Sequence, residues 1–123
     1  SPTDAAAGLI RDGIHEALKD SGYVTLAEFD TPDWAPPKAQ EWAAGQITRF
    51  GADIKGVVAA NDGTGGGAIA AFKAAGVDPV PPVTGNDATI AAATDHLGRP
   101  VQHHLEAFGN RGSRSRASRC AVP

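Results

Sequence analysis

Apolar positions recur along this chain with two different spacings, and the alternation between them predicts its elements. From residue 5 to about residue 20, Leu9, Ile10, Ile14, Ala17 and Leu18 fall at helical spacing, with Asp4 ahead as a cap and Gly22 behind as a stop. In YVTLAEFD, residues 23–30, Tyr23 or Val24, Leu26 and Phe29 alternate with polar neighbours, as in a strand with one covered face. The prolines of TPDWAPP bar a helix from running through that loop and set Trp34 just ahead of a helix beginning near Pro36 or Pro37. In the following KAQEWAAGQITRF, Ala39, Trp42, Ala43 and Ile47 share one side, and the helix closes at Gly51. Trp42 therefore reads as core.

The second half repeats the scheme. IKGVVAAND is a short apolar run bounded by polar turn residues, the pattern of a parallel strand covered on both faces. GTGGGAIAAFKAAGV follows as a glycine-led helix with a glycine stop, and VPPVTGNDA supplies a further strand before a helix start at Asp87. Helices and strands in strict alternation predict an α/β fold, a three-layer sandwich built on a parallel sheet with right-handed crossovers. Ligands in such folds bind beyond the C-terminal ends of the strands.

Composition narrows the class. With 123 residues, 41% of them hydrophobic, the chain suffices for one core. Residues 1–98 carry 13 acidic and 6 basic side chains, residues 99–123 carry 1 and 5. The acidic body lacks the clustered Lys and Arg that a phosphate backbone requires, so nucleic acid is not an expected partner. The stretch contains neither an apolar run long enough for a membrane span nor a leader pattern at its start. Its single cysteine, Cys120, excludes an internal disulfide, and His15, His96, His103 and His104 lack metal-site spacing, so neither metal nor cofactor is expected.

Polar side chains gather at the predicted strand ends: Asp30 and Trp34 after the first, Asn61 and Asp62 after the second, Asn86 and Asp87 after the third. Arg11, two turns into the first helix, can reach the same rim. Paired hydrogen bonders beside one large aromatic suit a pyranose, whose adjacent hydroxyls engage Asp, Asn and Arg and whose C–H face packs on an indole. Each residue has an ordinary alternative: Asp or Asn as a helix cap, Arg as a solvated surface group, Trp as a core cover. The stretch DGTGGGAIAAF also invites an anion-binding reading, but it lacks the GK[ST] ending and the dinucleotide-binding spacing. Its glycines can equally serve a close backbone approach.

The segments SPTD, GLIRDG, FDTPDWAPPKAQ, GVVAANDGTGGGAIAAFKAAG and VTGNDA resemble, in order and spacing, the xylose-binding type of bacterial sugar-binding protein from Ser1 to about Ala93. That resemblance implies one lobe of a two-lobed, type I periplasmic-binding-protein fold. It implies a non-catalytic role in binding a monosaccharide such as xylose, a transporter permease of the ABC class as partner, and an extracytoplasmic location. It also implies that Arg11, Asn61 and Asp87 hydrogen-bond sugar hydroxyls while Trp34 packs on the ring. Two departures weaken the site: Ala6 stands where the family has an asparagine ligand, and the family's site lysine has no counterpart in the tail. The remaining classes are a small α/β enzyme, hydrolytic or nucleotide-using, for which no nucleophile–base pair can be assembled, and the effector domain of a transcription regulator, whose DNA-binding headpiece is not among these residues.

The family's first strand, which lies centrally between the strands near residues 24 and 57, would precede Ser1. A vacant central position leaves backbone N–H and C=O groups unpaired, so the gap is expected to close by rearrangement, strand exchange or self-association. Residues 1–94 are thus read as a sugar-binding lobe and 95–123 as an atypical tail. Residues 95–112 can be written in codons whose reading one base later gives TTSADQYNTISKPSEIVA, similar to the family's next strand, which points to a frameshift near Thr94. The Arg-rich end NRGSRSRASRC is expected to be disordered.

Overall fold

The computed structural model of the chain describes residues 1–97 and 119–122. The elements follow the order α1 (Ala5–Leu18), β1 (Val24–Glu28), α2 (Pro36–Phe50), β2 (Gly56–Val57), α3 (Asp62–Ala74), α4 (Ile90–Leu97) and β3 (Arg119–Val122), with short 3-10 turns at Pro32–Trp34 and Gly51–Asp53. Local chemistry sets most of the boundaries. Asp4 caps α1 by accepting the Ala6 N–H, the two prolines open α2, and Gly51, at φ 50°, closes it. Asn61 caps α3 through the Thr64 N–H. Among the described residues no helix is long and apolar enough to cross a membrane.

The strands form a parallel sheet of order β1-β3-β2. The central strand is the C-terminal one. Val24 pairs with Arg119, Thr25 with Cys120, Ala27 with Ala121 and Glu28 with Val122, with an irregularity between Thr25 and Ala27. On the other side Gly56 pairs with Cys120 and Val57 with Ala121. β3 thus lies between β1 and β2, the central position expected of the family's first strand. It takes in Arg119 and Cys120, the last two residues of a segment whose composition pointed to disorder; residues 110–118 of that segment lie outside the described residues.

The strand expected in VPPVTGNDA is reduced to one parallel bridge between Val57 and Val83. The reason is chemical: Pro79, Pro81 and Pro82 have no N–H to donate to a ladder. Val57 N–H donates to the Pro82 carbonyl at 2.9 Å and Thr84 N–H donates to the Val57 carbonyl at 3.0 Å. Beyond that point the Thr84 hydroxyl replaces backbone pairing, accepting from Ala59 N–H at 2.9 Å and donating to the Ala59 carbonyl at 3.0 Å. The following helix starts at Ile90 rather than Asp87, with the Thr89 hydroxyl accepting the Ala92 N–H at 3.3 Å.

Ala43, Ile54, Val57, Ala68, Ala71, Phe72 and Val80 make the buried cluster, with Leu26, Trp42, Ile47 and Phe50 packed on it. Trp42 lies against it as read from its spacing, its ring stacked on Phe29 at 5.5 Å. α2 and α3 approach closely because glycine and alanine face each other: a Cβ at Gly67 would lie 2.4 Å from the Pro36 carbonyl oxygen and 3.1 Å from Ala39 Cβ. The glycine-rich start of α3 therefore serves backbone approach. α1 differs from these helices in holding no buried residue; Leu9 and Ile10 of its apolar side are exposed.

The close approach gives a paired test. Gly67→Ala is expected to lower the free energy of unfolding in urea by about 1–3 kcal/mol through overpacking. Gly66→Ala, whose Cβ would have nothing within 4 Å, is expected to raise it by up to ~1 kcal/mol. Equal effects of the two substitutions would contradict the packing described.

Candidate functional site

A cavity of about 320 Å³ lies where α1, the end of β1 and the start of α3 meet. Ser1, Arg11, His15, Glu28, Asp30, Thr31, Trp34 and Thr64 line it together with the apolar Ala7, Ile14, Phe29 and Ala60. The volume falls at the lower end of the range for small-molecule pockets. It sits past the C-terminal ends of β1 and β2, where a parallel α/β sheet places its ligands.

Two polar links tie α1 to β1. The Arg11 guanidinium lies 3.5 Å from the Asp30 carboxylate, and the His15 imidazole Nε2 meets the Glu28 carboxylate. On the α1 side their spacing follows from helix geometry. Four helical residues advance about 6 Å and bring Arg11 and His15 to one face. Glu28 ends β1, and Asp30 follows two residues later in the loop that leads to Trp34. All four side chains are about half exposed, and the Arg11–Asp30 pair contributes on the order of 0.2–1 kcal/mol.

Asp4 holds a third link. Its Oδ1 accepts the Ala6 N–H at 2.8 Å and its Oδ2 accepts the Trp34 indole N–H at 3.0 Å. These bonds, Ala6 first, together with the positive chain terminus, hold its carboxyl below the usual carboxylate range. Trp34 needs such a tether, because Asp33 and Trp34 both have left-handed backbone, φ 53° and 54°. For a residue as bulky as Trp that conformation costs on the order of 1–3 kcal/mol and persists only where the surroundings impose it.

Of the four residues singled out in the sequence, Arg11 and Trp34 line the cavity. Asn61 stands beside it, between the lining residues Ala60 and Thr64, with its side-chain oxygen accepting from Thr64 N–H at 2.9 Å and Thr64 Oγ1 at 2.8 Å. Asp87 lies on an exposed loop at φ 101°, accepting from the Asn86 side chain at 3.0 Å, and is not part of the cavity lining. That loop is joined to the start of α3: Asp62 N–H donates to the Asn86 carbonyl at 2.9 Å, and Asp62 Oδ2 accepts the Thr89 N–H at 2.7 Å. His15, Glu28, Thr31 and Thr64 were not singled out. His15 was legible from its spacing to Arg11, and Glu28 from its spacing to Asp30. Thr31 is buried at 3% exposure with its hydroxyl unpartnered, which no local pattern reveals.

An arginine, carboxylates and an indole thus surround one small cavity on a parallel α/β body. The chain belongs to the periplasmic binding protein domain family, whose profile matches residues 1–95. Among its relatives is the D-xylose-binding periplasmic protein of Escherichia coli (strain K12), 37% identical over 95 residues, covering 74% of this chain and 29% of that protein. The D-xylose-binding periplasmic protein of Haemophilus influenzae is 34% identical over 96 residues, covering 75% and 29%. The chain thus spans less than a third of the length of the curated relatives it matches. No solved structure matches it with significance.

The Asp4 tether has a pH signature. Because its pKa is lowered in the fold, its stabilisation is complete above the unfolded-state pKa and is lost as pH falls through the lower folded value. In a Trp42→Phe background, the fluorescence of Trp34 is expected to change with a midpoint below the ordinary carboxylate range, and Asp4→Asn is expected to abolish that transition. A midpoint at the ordinary value, or one unaltered in Asp4→Asn, would contradict the tether.

Proposed function

We propose that this chain is one lobe of a solute-binding protein and recognises a monosaccharide of the xylose type without chemically altering it. The three-layer sandwich of the family fold, the ABC-class permease as partner and an extracytoplasmic location belong to the same proposal. The observation that carries it is the joint presence of Arg11, Asp30 and Trp34 around one sugar-sized cavity at the sheet's C-terminal edge. The names of the two relatives support the choice of D-xylose.

In this reading Arg11 donates to adjacent sugar hydroxyls while Asp30 accepts from them, and the Trp34 indole, steadied by Asp4, covers the C–H face of the ring. Asn61 joins by turning its amide from the α3 cap toward the ligand. Asp87 joins by movement of its loop, which is already bonded to Asp62. Ala6 supplies no side-chain hydrogen bond, and a single lobe leaves the polar groups competing with water, because closure around a ligand is what strengthens such contacts. Residues 1–94 act as the binding lobe, and the altered tail supplies no ligand.

Affinity is therefore expected to be weak, with Kd near the millimolar range, about −4 kcal/mol. Titration of the full chain with D-xylose, followed by NMR, is expected to shift the Trp34 indole N–H and the amides of residues 28–34 saturably. Trp34→Ala and Arg11→Ala are each expected to weaken binding about tenfold, ~1.4 kcal/mol. Absence of saturable shifts, or shifts that survive both substitutions unchanged, would refute the proposal; submicromolar binding would refute its half-site part.

A further inference from the structure

The strand at the centre of the sheet comes from the far end of the chain. β3 is reached from α4 through residues 98–118, and its backbone partners are β1 and β2. At no more than about 3.5 Å per residue, a connection of that length spans up to roughly 70 Å, about twice the ~35 Å diameter of a domain this size. The same four residues of another copy can therefore reach the same position.

We propose that the slot between β1 and β2 is a strand-exchange site whose partner is a second copy of this chain. Arg119–Val122 of each copy docks as the central strand of the other, giving a reciprocal two-fold dimer. Three features support this. The facing edges of β1 and β2 carry backbone groups that an inserted strand pairs, which favours a filled slot. The exchanged arrangement keeps every backbone pair of β3, so monomer and dimer differ in connection entropy and concentration rather than in contacts.

The docked strand is also small. It pairs with four residues of β1 across an irregularity and with two of β2. α2 and α3 pack on each other without it, through contacts such as Gly67 against Pro36 and Ala39. The inference does not depend on what the cavity binds.

Cys120 is the chain's single cysteine, and its register partner on β1 is Thr25. Paired residues of adjacent strands lie within the Cα separation a disulfide spans. The test mixes wild type with the full-length double variant Thr25→Cys, Cys120→Ser, refolds them together and oxidises them. In that mixture a 25–120 disulfide can form only between chains. The expected result is a 25–120 cross-linked heterodimer, identified by peptide mapping, whose yield rises more than tenfold from about 5 to about 500 µM, as competition with a roughly millimolar intramolecular concentration requires.

The single variant Thr25→Cys, oxidised when dilute, is expected to give a monomer with an internal 25–120 bond, establishing that the slot is formed. An internal bond without any heterodimer across that concentration range overturns exchange. Failure of both overturns the docked strand itself.

Discussion

The sheet depends on one backbone constraint. β1 and β2 do not pair with each other; each pairs with β3. Two of the three walls of the cavity hang from those flanking strands: Glu28 to Thr31 and Trp34 lie at and after the end of β1, and Ala60 and Thr64 follow β2. Four residues from the end of the chain therefore set the spacing of a site to which residues 1–64 contribute every lining side chain. Parallel pairing of distant segments has no local driving force, and its loop-closure entropy must be met before the hydrogen bonds form.

Around that spine the molecule is held in two ways. On the α2–α3 side, small residues permit backbone contact and Phe72, Ile54 and Val57 fill the core. On the α1 side no residue is buried, and the helix is tied to β1 and its loop by Asp4–Trp34, Arg11–Asp30 and His15–Glu28. Exposed polar links of this kind are individually weak. The wall that carries Arg11 is thus the more easily displaced one, and the strained Trp34 backbone is steadied partly by that same wall. The structural links on this side use Arg11, His15, Glu28, Asp30 and Trp34, which also line the cavity.

How much of this was legible in the sequence follows from how local each signal is. Asp4, Pro36, Gly51 and Asn61 act on the residues beside them, and the helices they bound are where the spacing placed them. The run VPPVTGNDA looked like a strand because its valines alternate, but its prolines leave one bridge and the Thr84 hydroxyl takes over the pairing. Arg11 and Trp34 were found because their chemistry is distinctive. His15 was passed over because it was weighed alone, although its i+4 relation to Arg11 brings the two to one face of α1. Arg119–Val122 carries no pattern that separates a central strand from a charged tail, because its partners lie more than sixty residues away along the chain.

Hydrogen exchange by mass spectrometry, with and without D-xylose, tests most directly the claim that a C-terminal strand organises the cavity. The account requires the amides of residues 119–122 to be protected together with those of 24–28 and 56–57, and all three segments to slow further when the sugar is added. Free exchange at residues 119–122 beside a protected β1 and β2 would contradict it.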